Sequence, residues 1–337
     1  MVNPIHMGVV GAGYWGPNLA RNIAALRHTE LSYICDIDEQ QLEKIAPIYP
    51  SAKCTTRLGD LLEGNIEAVA IATPVRTHYQ IAKKFLAAGK HVLIEKPMTS
   101  TCIEAQDLLN LAKKKNLVLM IDHTFNYTSA VKKMKELISK KELGELMYWD
   151  SVRISLGLFQ HDVNVLWDLA VHDLAIMDYV IDEKPISVRA MGMTHYAKGI
   201  ENIAYLSLKF NKSFIAHFHV NWLSPVKIRQ ILIGGKNKML LYDDMLTSEK
   251  MKIYNKGVDV EETREGVYKK LVQYRLGDMH SPYLQNTEAL HELLKHFVEV
   301  VRYGKKPISG ADSGLRVIKI LEAAQKSIVN NGREIIL

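Results

Sequence analysis

The chain has 337 residues, 47% of them hydrophobic and 24% charged, with a formal net charge of +6. That length exceeds one ordinary core and predicts two domains, and no apolar run is long enough to predict a membrane span. Three cysteines (Cys35, Cys54, Cys102) without metal-type spacing argue against a disulfide framework and predict a cytoplasmic protein. The chain enters its first strand at once, so no signal peptide is expected.

Gly8-Val9-Val10 reads as the end of a strand, and Leu19, Ile23 and Leu26 give the next segment a helical apolar stripe. Between them lies Gly11-Ala12-Gly13-Tyr14-Trp15-Gly16, whose three glycines suit a dinucleotide-binding turn. Gly11 permits the turn, Gly13 lets backbone approach a pyrophosphate, and Gly16 lets helix pack on strand. A second strand, Leu31 to Asp36, ends in an acid twenty residues beyond Gly16, where a ribose-binding carboxylate is expected.

A helix from Glu39 to Ile48, a short element at Leu58 to Leu62, a buried strand at Ala68 to Ala72 and a helix from about His78 to Ala88 follow. Lys90 to Ile94 is the next strand, Thr101 with Glu104 opens a helix as a capping box, and Leu117 to Ile121 is a further strand. Strands apolar throughout and separated by helices predict a parallel, doubly wound sheet in a domain of residues 1–122.

Beyond residue 145 the apolar period changes to two, as in Phe214, Ala216, Phe218, Val220 and Trp222. Strands are expected at 147–156, 186–196, 203–210, 214–223, 228–233, 238–242 and 251–254. Hairpins are expected at Asn211-Lys212-Ser213 and at Gly234 to Asn237. Helices are expected at 130–140, 166–181, 287–303 and 314–330. The second domain, 123–337, is thus α+β with an open, mostly antiparallel sheet, its last helices packing back toward the first domain. The lysine clusters at 113–115 and 132–141 fall on helices without interleaved aromatics. They read as solvated faces rather than a nucleic-acid site.

Three further clusters bear chemistry. Thr73-Pro74, with His78 after it, lies at a strand's carboxyl end, where ligands of open α/β sheets collect; an ordinary strand-to-helix turn is the alternative. Glu95-Lys96-Pro97 places an ammonium at the next such end, able to stabilise a developing alkoxide, or else to form a surface pair with Glu95. Asp168 and His172 stand four apart on an expected helix, as a carboxylate and an acid/base imidazole or as a structural histidine behind an acidic helix start. His123 borders a strand end and is equally a capping or packing residue. His217 and His219 share a strand face without a third zinc ligand, and no metal is expected.

In order and spacing, GAGYWG, ATPVRTH (72–78), AGKHVLIEKP (88–97) and the Asp168/His172 pair resemble the Gfo/Idh/MocA family of NAD(P)-dependent oxidoreductases. The segments at 123–127, 164–173 and 221–225 resemble its branch acting on nucleotide-linked sugars, which implies oxidation of the C3 hydroxyl of UDP-linked N-acetylhexosaminuronic acid in surface-polysaccharide synthesis, with His161 and Val171 where proline is expected. The resemblance implies catalytic roles for Lys96, His172 and Asp168, with Lys96 orienting substrate and His172 as acid/base. It puts Gly11, Gly13, Tyr14, Trp15, Gly16, Asp36, Thr73, Pro74, His78, Glu95, Lys96 and His123 at the cofactor. Tyr127, Arg153, Gln160, Asn164, Asp168 and His172 are expected at the sugar, with Asn126 and Trp222 as weaker contacts. Ile37 after Asp36 supplies no cation for a 2′-phosphate, which favours NAD over NADP. The resemblance also implies a homodimer or homotetramer through the second domain's sheet. A polyol or inositol dehydrogenase, a sugar-nucleotide ketoreductase and a non-catalytic NAD-binding sensor are the competing readings.

Overall fold

Strands without a polar face must be covered on both sides, and the first part of the chain is built that way. In this computed structural model, residues 3–157, 163–196, 199–211, 213–261 and 271–337 are described. They divide into two compact units, Met1–Thr128 with Thr287–Glu322, and Ser129–Asn286 with Ala323–Leu337.

The first unit alternates β1 (Ile5–Val10), α1 (Gly16–Ala25), β2 (Thr29–Cys35), α2 (Glu39–Ile45), β3 (Lys53–Thr55), α3 (Leu58–Glu63), β4 (Ala68–Ile71), α4 (Val75–Ala87), β5 (His91–Glu95), α5 (Cys102–Lys115) and β6 (Leu119–Asp122). The strands pair in the order β3-β2-β1-β4-β5-β6, all parallel. The order reverses beside β1, which makes the carboxyl ends of β1 and β4 the switch point of a doubly wound sheet. Thr101 caps α5 by accepting from Glu104 N, while Glu104 accepts from Ser100 N, a capping box displaced by one residue.

The second unit contributes α6 (Ser129–Ser139), β7 (Leu146–Leu156), α7 (Val171–Val180), β8 (Ser187–Met193), β9 (Ile203–Lys209), β10 (Ile215–Asn221), β11 (Leu223–Gly235), β12 (Met239–Asp243), β13 (Met251–Glu261) and β14 (Leu271–His280). The chain ends with α8 (Ala289–Tyr303), α9 (Ala311–Val329) and β15 (Ile335–Ile336). Nine strands pair as β14-β13-β12-β11-β7-β10-β9-β8-β15, antiparallel except where β10 runs parallel to β7. The expected hairpin after β9 turns at Asn211 and Ser213, with Lys212 outside the described residues.

The first unit's core joins Val9, Ile34, Ala70, Leu93 and Met120 of the sheet to Leu19 and Ile23 of α1. It also takes in Leu293, Leu294 and Phe297 of α8, nearly two hundred residues further along the chain. Each such side chain contributes about 1.5–3 kcal/mol on burial, so α8 is integral to this unit. In the second unit Trp149, Phe218, Val220 and Trp222 are buried on one sheet face. The opposite face leaves Met191, Met193, Tyr205, Ile215 and Leu232 exposed. Among the described residues no helix is long and apolar enough to cross a membrane.

Candidate active site

In the first unit the glycine turn closes as a strand-to-helix corner should. Gly11 has φ +98, and a Cβ there would lie 2.6 Å from the Ala72 carbonyl oxygen. At Gly16 a Cβ would lie 1.8 Å from the Gly11 oxygen, whereas at Gly13 nothing stands within 4 Å. The turn is therefore tight on its protein side and open at Gly13, the side a diphosphate needs. No side chain caps the first turn of α1, where Pro17 sits and the helix dipole is positive. These residues fit a dinucleotide.

Asp36, just past β2, accepts from Ala12 N at 2.6 Å and Asp38 N at 2.9 Å. Its carboxylate thus braces the turn at the place where a ribose is expected. Tyr14 and Ile37 on either side are both 92% exposed.

At the end of β4, Thr73 is half-buried and accepts from the Thr77 hydroxyl at 2.8 Å, and Pro74 is exposed. His78, expected at the cofactor, is instead buried. Its ring nitrogens lie 2.9 Å from Pro97 O and 2.7 Å from Thr73 O. It ties the turn after β4 to the loop after β5. Within that loop the Lys96–Pro97 peptide is cis, and Lys96 is half-buried at the strand end.

Glu95 accepts from Lys96 N at 2.9 Å and stands in register with Asp122 on β6. Burial, and then the neighbouring Asp122 carboxylate, push the Glu95 carboxyl well above the usual range, against the pull of Lys96. Asp122 is itself buried and accepts from the Trp15 indole N–H at 3.0 Å and from the Thr124 hydroxyl. Sequence reasoning passed over Asp122. The available signal was an acid ending the strand next to that of Glu95-Lys96.

His123 is buried after β6. Tyr127, expected at the sugar, is instead part of the first unit's core. Its hydroxyl pairs with Ser309 at 3.1 Å and its ring packs on His296. Asn126 is buried, and neither atom of its amide has a hydrogen-bond partner.

In the second unit, Leu166–Ala170 form a π-turn in which Val171 N reaches Leu166 O, five residues back. Such turns recur at functional sites. Asp168 lies in it and His172 in α7, so α-helical spacing does not set their relation. Asp168 accepts from the Trp222 indole N–H at 3.1 Å, and Trp222 is buried. His172 is half-buried in the first turn of α7.

Asn164, expected at the sugar, is instead a buried strut of the helix start. Its oxygen accepts from Leu166 N and Trp167 N, and its amide donates to Glu201 at 2.5 Å and Gln325 at 2.6 Å. Arg153, expected to meet an anionic substrate, is instead buried with Asp173, bound at 2.7, 3.1 and 3.2 Å. Burial opposes the guanidinium charge, and Asp173 more than offsets it, leaving the Arg153 pKa raised. His219 stacks on Tyr205 at 4.4 Å and His217 at 6.3 Å, as residues of a sheet face. Gln160 and His161 lie outside the described residues.

Comparison with known proteins places this geometry. Residues 5–123 match an oxidoreductase family described by its NAD-binding Rossmann fold, and residues 131–240 match the GFO/IDH/MocA C-terminal domain. A UDP-N-acetylglucosamine 3-dehydrogenase of Acidithiobacillus ferrooxidans is 31% identical over 193 residues, covering 56% of this chain and 59% of that enzyme. The chain therefore matches under two thirds of that relative's length. The scyllo-inositol 2-dehydrogenase (NADP(+)) IolW of Bacillus subtilis is 24% identical, covering 97% of this chain and 94% of its own. The solved structure of GenD2, from gentamicin A biosynthesis in complex with NAD, has a TM-score of 0.83 at 23% identity over 100% of this chain and 97% of its own. With a glycine turn fitted to a dinucleotide and both domains matched in order, the chain belongs to the Gfo/Idh/MocA family of NAD-binding oxidoreductases.

Proposed function

We propose that this dehydrogenase oxidises the C3 hydroxyl of a nucleotide-linked N-acetylhexosamine or its uronic acid, with NAD, in the cytoplasm. The observation that carries the reading is Lys96 at the carboxyl end of β5, backed by a half-buried Glu95, in a chain 31% identical over 193 residues to a UDP-N-acetylglucosamine 3-dehydrogenase. When bound, the nicotinamide takes the hydride that leaves C3. Lys96 orients the reacting oxygen by donating to it. His172 takes the hydroxyl proton, and Asp168, steadied by Trp222, sets the local field for that imidazole. Asn126 is a further contact, because its buried amide has both a donor and an acceptor to offer. Surface-polysaccharide synthesis is the class of pathway such a product serves.

The exposed sheet face of the second unit supports a homodimer or homotetramer. A polyol dehydrogenase is the second reading, favoured by the near full-length match to IolW.

The test is nicotinamide reduction against UDP- and dTDP-linked N-acetylhexosamines, their uronic acids and unlinked polyols, with NAD and NADP in parallel. Activity on a UDP-linked N-acetylhexosamine or uronate with NAD is expected, and activity on polyols alone overturns the assignment. Lys96→Ala and His172→Ala should each lower kcat by about two to four orders of magnitude with dinucleotide affinity retained. Full activity in either variant refutes that residue's role.

A further inference from the structure

Asp122 was neither an expected site residue nor one to which the proposed chemistry gives a part, yet three separate elements converge on its carboxylate. Trp15, at the start of α1 and inside the glycine turn, donates its indole N–H at 3.0 Å. Thr124, in the turn after β6, donates its hydroxyl to the other oxygen. From β5, in direct register, comes Glu95, whose carboxyl the neighbouring Asp122 carboxylate pushes up. Two carboxyl groups can share a hydrogen bond only if one of them carries a proton.

We propose that Asp122 is a positioning residue for the dinucleotide: it holds Glu95 through one shared proton and Trp15 through the indole N–H, locking the glycine turn to the lysine-bearing strand end. This rests on the reading of the glycine turn and Lys96 as the dinucleotide side of the reaction. With the proton in place, the pair carries a single negative charge beside the Lys96 ammonium. Without it, two negative charges face each other across adjacent strand ends and repel. Glu95 must then swing away, and Asp122, drawn off its partners, loosens Trp15. The cation acting on Glu95 against Asp122 is Lys96, in the loop after β5. Trp15 and Thr124 bring only neutral donors.

The sign follows from burial. The Glu95 pKa lies above its ordinary value, so the proton is lost only as pH rises through that raised value. Dinucleotide affinity should therefore weaken as pH rises through it.

The experiment is NADH affinity across pH by nicotinamide fluorescence, with thermal melts at each pH as a folding control. In the wild type the dissociation constant is expected to rise about tenfold as pH passes through the raised Glu95 pKa, the scale of one lost charge-assisted contact. Glu95→Gln keeps a donor toward Asp122 with no proton to lose, so its affinity should stay flat over the same range. Asp122→Asn keeps an acceptor for Trp15 and faces Glu95 with a neutral amide, so an ionised Glu95 meets no second charge and the affinity of this variant should likewise stay flat. Either variant with the wild-type profile overturns the assignment while leaving the dinucleotide reading intact. Failure of the wild type to bind NADH at any pH overturns that reading, and this assignment with it.

Discussion

Single residues decided more of the site than their sequence spacing could. His78, Tyr127, Asn164 and Arg153 are polar groups near expected ligand positions, and each is turned inward to an internal partner. The physical reason is common to all four: a buried polar group must find a partner, and these find one inside their own unit. Arg153 gives the sharpest test. Removing it as Arg153→Met leaves Asp173 buried and unpaired, which should cost about 3–5 kcal/mol in chemical denaturation. The double variant Arg153→Met/Asp173→Leu should recover most of that loss, since well-packed apolar replacements of a buried pair are often neutral. If the single and double variants are equally destabilised, the pair is not what holds α7 to β7.

Among the elements, the strand-to-helix corner at Gly11–Gly16 separates two uses of glycine. Gly16 has no room for a Cβ, because one would lie 1.8 Å from the Gly11 oxygen. Gly16→Ala should therefore move the turn and lower the melting temperature. Gly13 has ample room within the protein, so Gly13→Ala should melt like the wild type yet bind NAD about tenfold more weakly, as a methyl group meets the pyrophosphate. Equal NAD affinity in Gly13→Ala argues against diphosphate contact there. The start of α7 is the element that periodicity misread. A continuous helix was expected through 166–181, whereas the chain widens into a π-turn over Leu166–Ala170. Apolar spacing does not register one extra residue per turn. The turn's supports, Trp222 and Asn164, come from the distant bend between β10 and β11 and from the loop before the turn.

On the scale of the whole molecule, both sheets were legible from the switch between uniform and alternating apolar strands. The unit boundaries were not. The first unit continues through Thr128 and takes back Thr287–Glu322, because α8 buries Leu293, Leu294 and Phe297 against its core. The second unit's bare sheet face predicts self-association. Tyr205→Asp, which places a charge amid Met191, Met193 and Ile215, should reduce the assembly mass seen by light scattering while the melt stays cooperative. A wild type that is monomeric at every concentration refutes assembly through this face.

By itself the sequence determined what local pattern encodes: the glycine turn, the acid that follows it, the parallel and antiparallel strand classes, and the lysine at a strand end. Local pattern suffices there because turn chemistry and period-two or buried runs act over a few residues. Only the tertiary structure decided which polar groups face inward and that Asp122 joins Glu95 to Trp15. Those outcomes depend on contacts such as that between Trp15 and Asp122, 107 residues apart, which no window of neighbouring residues contains.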